Sequence, residues 1–383
     1  MKKQLFFIAM LVIICFSANA QWQYTNLPIS SGQVTSFASS GSNLFAGHND
    51  GGVFLSTNSG NSWTAVNSGL TNTIVNALAI DGNNIFAGTN GGVFLSVNNG
   101  NSWNNVSAGL TNDSVMSLAI SGNNIFAGTC WSGIFRSSDN GNTWTDVNNS
   151  LTDTAEILSF LVDGNNIFAG TADGGVFMTT DNGNTWTSTG LTNNTVFSLA
   201  KSGNNIYAST WYNGIYLSSD NGNSWSTINN GLTDIRILSL ATIGKYIFAG
   251  NTFSGDVFLS SDNGNSWSST GLSSYSSIYT LNIFGNSIFA GIAGNTIWKR
   301  PLSEMICLAQ FAMVPDTIIL HHYYVINNAL GTPPLSYLWN WGDGTHDTIA
   351  YPSHTYSAAG YYNICLTISD YTGCTNTLKS QTS

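Results

Sequence analysis

The chain has 383 residues and a formal net charge of −10, with only 7% of its residues charged, against roughly 25% in an average soluble protein. So few cations exclude nucleic-acid binding, which needs Lys and Arg to displace counterions from phosphates, and they disfavour anionic membrane surfaces. Solubility has to come from Asn, Ser, Thr and Gly, which fill the gaps between apolar stretches.

The chain begins Met1-Lys2-Lys3, runs apolar from Leu5 to Phe16 and reaches Ala18-Asn19-Ala20. A basic start, a short hydrophobic run and a small-x-small site predict a signal peptide over residues 1–20, with Gln21 first in the mature chain. Val12-Ile13-Ile14 is a poor context for lipidation at Cys15. No later segment approaches the length of apolar chain that crosses a bilayer. The expectation is an exported, soluble protein, secreted or at the cell surface with the periplasm as the alternative, and with no integral membrane segment after cleavage. Of the later cysteines, Cys130 stands apart, and the pairing among Cys307, Cys365 and Cys374 is left open by the sequence.

From Gln21 onward the chain repeats. A phrase ending at Trp63, Trp103, Trp144, Trp186, Trp225 and Trp267 recurs every 39 to 42 residues. Its best-kept copies are Ser218-Ser219-Asp220-Asn221-Gly222-Asn223-Ser224-Trp225 and Ser260-Ser261-Asp262-Asn263-Gly264-Asn265-Ser266-Trp267. A second phrase, Leu44-Phe45-Ala46-Gly47 in the first unit, reads Ile-Phe-Ala-Gly at 85–88, 125–128, 167–170, 247–250 and 288–291, with Ile206-Tyr207-Ala208-Ser209 as its divergent member. Each unit reads as four short runs rich in Val, Ile, Phe, Thr and Trp, split by Gly and Asn turns, which predicts four antiparallel strands. Four strands in about 40 residues suit a propeller blade.

The second phrase has seven copies and the tryptophan phrase six. The last unit runs out at Pro301 without a fourth strand, while Gln21-Trp22-Gln23-Tyr24-Thr25 stands alone at the other end, in register with the tryptophan series. The N-terminal strand is therefore expected to complete the last blade and close a seven-bladed ring over 21–302. Closure removes the open sheet edges that invite aggregation.

The phrase Ser-x-Asp-x-Gly-x-Thr-Trp resembles the Asp-box, or BNR repeat, of sialidases and related propellers. The match keeps Asp at Asp139, Asp181, Asp220 and Asp262, with Asn58 and Asn98 replacing it in the first two blades. The resemblance implies a structural turn between a blade's third and fourth strands. There the Asp bonds local amides, and the tryptophans Trp63, Trp103, Trp144, Trp186, Trp225 and Trp267 pack between neighbouring blades. Past Pro301 the repeat is lost. After a linker at 303–310, residues 311–383 carry Trp339-Asn340-Trp341-Gly342-Asp343-Gly344, then Pro352-Ser353-His354-Thr355-Tyr356 and Gly360-Tyr361-Tyr362-Asn363-Ile364-Cys365-Leu366-Thr367-Ile368. This order resembles a PKD domain and implies a small immunoglobulin-like β-sandwich, expected here to be short at its last strand. Asn340 and Trp341 replace the family's usual Asp and Phe, which weakens any argument for a metal.

The sialidase resemblance requires three arginines clamping a carboxylate and a Tyr–Glu pair. The chain has Arg136, Arg236 and Arg300, but Arg136 leads into an Asp-box and Glu304 falls in the linker. No catalytic residues, metal ligands or cofactors are assigned. The loops joining second and third strands hold Trp131, Trp211, Tyr212 and Phe253, together with His48, Asp50 and Asp173. Aromatics there are candidates for stacking on a sugar ring or gripping a peptide. The reading is an exported, non-enzymatic binding or scaffold protein that recognises surface glycans or proteins through this loop rim. The alternative is a glycoside hydrolase, sialidase-like or other, using rim carboxylates.

Overall fold

The structure is a computed structural model that describes residues 21–151, 156–370 and 374–381; the leader read at 1–20 lies outside them. The described chain is all β apart from one turn of 3-10 helix, Leu302–Glu304, and none of its helices is long and apolar enough to cross a membrane. Seven four-stranded antiparallel sheets stand around one axis as blades. The first blade runs outward through Val34–Ser40, Asn43–His48, Gly52–Ser56 and Thr64–Ala65. The innermost strands of the next five blades are Val75–Asp81, Val115–Ser121, Ile157–Asp163, Val196–Ser202 and Ile237–Ile243. The outermost strands of these six blades are only two residues long, so each tryptophan phrase is mostly turn.

The seventh blade contains Ile278–Phe284, Ser287–Ile292 and Thr296–Pro301, and its outermost strand is Gln23–Asn26 from the other end of the chain. Gln23 pairs with Lys299 and Asn26 with Thr296 in antiparallel register. The ring is therefore closed by the N-terminal strand, as the two repeat counts predict. Trp22 is buried beside it and donates to Thr270 Oγ1 at 3.2 Å.

Second strands are buried on both faces because each is pressed between two blades, so they read as continuous apolar runs instead of alternating ones. The glycine ending the Ile-Phe-Ala-Gly run is required by that contact. A Cβ at Gly47 would come within 2.9 Å of Val75 on the next blade, and one at Gly291 within 2.7 Å of Val34, which carries the same packing across the closure. The box tryptophans bridge blades from the outside. Trp103, Trp144, Trp186 and Trp267 are buried and donate their indole N–H to backbone carbonyls of the preceding unit (Val66, Val106, Val147 and Ile228) at 2.6–2.9 Å. Burying one such ring, at about 200 Å² and 25 cal/mol per Å², stabilises by at most about 5 kcal/mol. Trp225 differs: it is half-buried and bonds only Gly222 in its own turn at 3.1 Å.

The box turns bond to themselves. Asp139 Oδ1 accepts from Ser137 Oγ at 2.7 Å and from the Thr143 amide at 2.9 Å, while Oδ2 accepts from Thr143 Oγ1 at 2.6 Å. Ser137 Oγ in turn accepts from the Gly141 amide at 2.8 Å. Asp181, Asp220 and Asp262 repeat the pattern. The donors from Thr143, Thr185 and Ser224 hold the carboxyls of Asp139, Asp181 and Asp220 at about 2. Asn58 makes a neutral copy, accepting the Ser62 amide and donating to Ser62 Oγ, both at 2.9 Å.

Residues 303–310 are packed: Ile306, Cys307 and Ala309 are buried, and Leu308 exchanges two backbone hydrogen bonds with Leu330. Beyond them a β-sandwich sets Phe311–Pro315, His322–Asn327 and Ser353–Thr355 against His346–Asp347, Ser336–Asn340, Asn363–Ser369 and Thr375–Gln381. Trp339 and Trp341 are fully buried and stacked at 5.9 Å. The last described strand, Thr375–Gln381, pairs along the whole of Asn363–Ser369.

Candidate functional site

Strand direction alternates within a blade, so all turns that carry the tryptophan phrase lie on one face of the ring and all loops joining second to third strands lie on the other. On that second face a cavity of about 340 Å³ opens at the mouth of the central channel. Its wall takes one residue from each blade: Thr35, Asn76, Met116, Leu158, Phe197, Leu238 and Tyr279, joined by Gln33, Ser277 and Trp211.

These seven residues hold one register position, the second of each innermost strand, and each sits in a β-bulge. In the third blade Val115 pairs with Thr129 and Ser117 with Gly128, so Met116 is the extra residue, and the same shift occurs in every blade. A bulge re-aims one side chain and leaves a carbonyl outside the ladder. At five of the seven bulges a side chain of the preceding blade donates to the carbonyl before the bulged residue. Ser117 Oγ donates to Ile157 O at 2.6 Å and Ser239 Oγ to Ile278 O at 3.1 Å. In the second blade Ala77 stands where the serine would be, and Asn76 donates to Val115 O at 2.9 Å instead; Thr35 donates to Val75 O at 2.7 Å. Where a serine does this work, the bulged residue is free to be apolar, as at Met116, Leu158 and Leu238. The mouth is therefore two-sided: polar around Gln33, Thr35, Asn76 and Ser277, apolar from Met116 through Leu238.

Of the loop residues singled out in the sequence, Trp211 reaches this mouth, with its ring 5.6 Å from Phe197, and Tyr212 stands edge-on to it at 6.3 Å. Trp131, Tyr212 and Phe253 are exposed at 69%, 72% and 61% but stand on the rim outside the mouth. Phe253 lies under the Arg236 guanidinium, 3.6 Å from the ring centre, and Arg236 in turn grips both oxygens of Asp234. His48 is fully buried, with Nδ1 accepting from the amides of Asp50 and Gly51 at 3.2 and 3.0 Å. Burial pushes its imidazole pKa down. In the second blade Thr89 fills the same place and accepts the Gly91 amide, so both side chains cap their loop.

Asp50 and Asp173 are exposed on the first and fourth blades, and among the described residues no carboxylate lines the mouth. The three arginines are held in separate places: Arg136 on the next blade's box turn, Arg236 on the rim and Arg300 against Thr270 and Glu304. They make no common clamp. The bulged residues were not singled out by sequence reasoning, yet a signal exists. Aligning the innermost strands leaves one column, reading Thr, Asn, Met, Leu, Phe, Leu and Tyr, without a shared character between a Val or Ile and a small residue.

Residues 111–236 match the DUF6242 beta propeller domain, and residues 325–383 match the PKD domain. The first match falls within the propeller and the second within the C-terminal sandwich. Among solved structures it is similar to YCF48 bound to D1 peptide, with a TM-score of 0.61 and 14% identity over 73% of this chain and 96% of that one. A GH74 enzyme of Niastella koreensis gives 0.60 at 16% identity, over 94% of this chain and 67% of that chain. The GH74 xyloglucanase of Xanthomonas campestris gives 0.60 at 15%, over 80% and 59%. At these identities the likeness is one of fold. A 39-residue stretch is 51% identical to Collagenase ColA of Bacillus cereus, spanning 10% of this chain and 4% of that protein.

Proposed function

We propose that this is an exported, non-enzymatic binding protein that holds a segment of a partner protein at the channel mouth. The observation that carries the reading is the two-sided wall of bulged residues. Leu158, Leu238, Met116 and Phe197 offer an aliphatic and aromatic socket for a bulky apolar side chain, while Asn76, Thr35 and Gln33 offer hydrogen bonds to a backbone. An aliphatic socket suits a peptide side chain better than a sugar ring, which calls for an open aromatic face; Trp211 leans its ring on Phe197. The similarity to a propeller solved with a bound peptide supports the same reading. Hydrolysis by rim carboxylates has less support, because Asp50 and Asp173 lie three blades apart and outside the cavity.

The test is selection of peptides from a displayed random library on the whole chain, followed by affinity measurement. Enriched peptides carry an aromatic or aliphatic anchor, and the double change Phe197→Ala and Trp211→Ala weakens them at least about tenfold, or 1.4 kcal/mol, with the thermal midpoint nearly unchanged. Affinities that the double variant leaves intact, or glycan-array binding that it leaves intact, would remove the proposal.

A further inference from the structure

The sandwich meets the propeller at the hairpin turn before Tyr246 in the sixth blade, where Cys307 is clamped. The buried Tyr246 hydroxyl donates to the Cys307 carbonyl at 2.6 Å and accepts from the Cys307 amide at 3.2 Å. Two residues on, the Ala309 amide donates to Asn376 Oδ1 at 2.8 Å, and Asn376 lies two residues beyond Cys374. That bond fixes the two short segments side by side at equal offset. The Cys374 amide donates to Asp370 Oδ1 at 3.0 Å, and the Asp370 amide to the Cys374 carbonyl at 3.0 Å, which pins the second cysteine from its other side. The ligand atoms of Cys307, Asp370 and Cys374 all lie within 4.8 Å of one another.

We infer that Cys307 and Cys374 are joined by a disulfide that ties the strap entering the sandwich to the start of its last strand. The two sulfurs are free thiols in the structure and lie within 4.8 Å of each other on backbones that these hydrogen bonds hold. Cys365 is on the wrong face: Ile364, Leu366 and Ile368 of its strand are fully buried, so Cys365 alternates to the outer side of the sheet. Cys130 is far away in the third blade, its thiol 3.1 Å from Glu156. A thiophilic cation is the competing occupant of the cluster. Against it, Asp370 already spends Oδ1 on the Cys374 amide and Oδ2 on the Thr332 amide at 3.3 Å, and the cluster offers three donors where a closed zinc site uses four.

The bond forms by thiol–disulfide exchange. The half-buried Cys374, as thiolate, attacks a disulfide of an oxidised dithiol oxidoreductase or of oxidised glutathione, releasing one thiolate. Cys307 then attacks the mixed disulfide and displaces the second. Two electrons and two protons leave the cysteines, and the oxidant becomes two thiols.

The test is peptide mapping of the whole chain after equilibration with a glutathione redox couple, alkylation, and digestion without reduction. A peptide containing Cys307 linked to one containing Cys374 is expected, with Cys130 and Cys365 alkylated. Adding reductant lowers the midpoint of the sandwich transition by on the order of 10 °C; Cys374→Ser abolishes that response and Cys365→Ser keeps it. Recovery of Cys307 and Cys374 as alkylated thiols, a link to Cys365 instead, or a zinc ion retained by the native chain in place of the link would each overturn the inference. The mapping uses the unaltered chain, so it stands even where a variant fails to fold.

Discussion

On one face of the ring, six turns bring the same atoms to the same places: a Ser or Thr hydroxyl, an Asp or Asn side chain, and two amides closing a small network. On the other, the same seven sheets present Thr35, Asn76, Met116, Leu158, Phe197, Leu238 and Tyr279 at a single register position. The first face cannot vary without loosening the contact between blades. The second can, because a bulge detaches one side chain per blade from the packing and, in three blades, a neighbouring serine takes over its backbone duty. Repetition in this chain therefore marks what holds the ring, and its interruption marks what the ring can hold.

That contrast can be broken most forcefully at the box tryptophans. Trp144→Ala should cost about 3–5 kcal/mol in denaturant unfolding, and Trp225→Ala distinctly less, since Trp225 is half-buried and bonds only its own turn. Equal losses would mean that the box face does not act through blade-to-blade contact. Next in size, Ser137→Ala removes the acceptor of the buried Gly141 amide and should cost about 1–2 kcal/mol.

The pH response sharpens the comparison within the box face itself. Asp139, Asp181 and Asp220 are held near 2 in the folded chain, below their ordinary 3.8. Their contribution is therefore fully present above about pH 4 and lost as pH falls through about 2. The blades with Asn58 and Asn98 carry no such titration. Urea midpoints between pH 5 and 2 should fall less steeply for the triple change Asp139→Asn, Asp181→Asn, Asp220→Asn than for the unaltered chain. The smallest effect belongs to the loop face: Trp131→Gly should leave stability within about 0.5 kcal/mol. Trp131 is 69% exposed, and its left-handed φ of 68° is one that glycine adopts without strain.

Blade number, strand count and closure were legible in the sequence because each follows from a repeat and its one missing copy. The PKD sandwich was legible from its tryptophan–glycine run. The mouth was not, since alternation assigns side chains by parity and a bulge shifts parity by one residue. Met116 thus reads as an ordinary strand position until Val115 and Ser117 are seen to pair with adjacent partners. His48 ends the strand Asn43–His48, and its ring accepts two amides of the following turn, a role that its residue type alone does not announce. Asp50 and Asp173 likewise follow from loop composition and say nothing of convergence.

The clasp between Gln23–Asn26 and Thr296–Pro301 also sets the order of assembly. Leu27 and Asn295, which meet beside it, are 268 residues apart. Contacts that distant form slowly, because the intervening loop must be closed before any of them is rewarded. Until the clasp seats, the strand Thr296–Pro301 is a bare edge able to recruit another chain. Nascent molecules are thus most vulnerable to mutual pairing just before they finish folding, and a chaperone that shields extended edges would raise their yield.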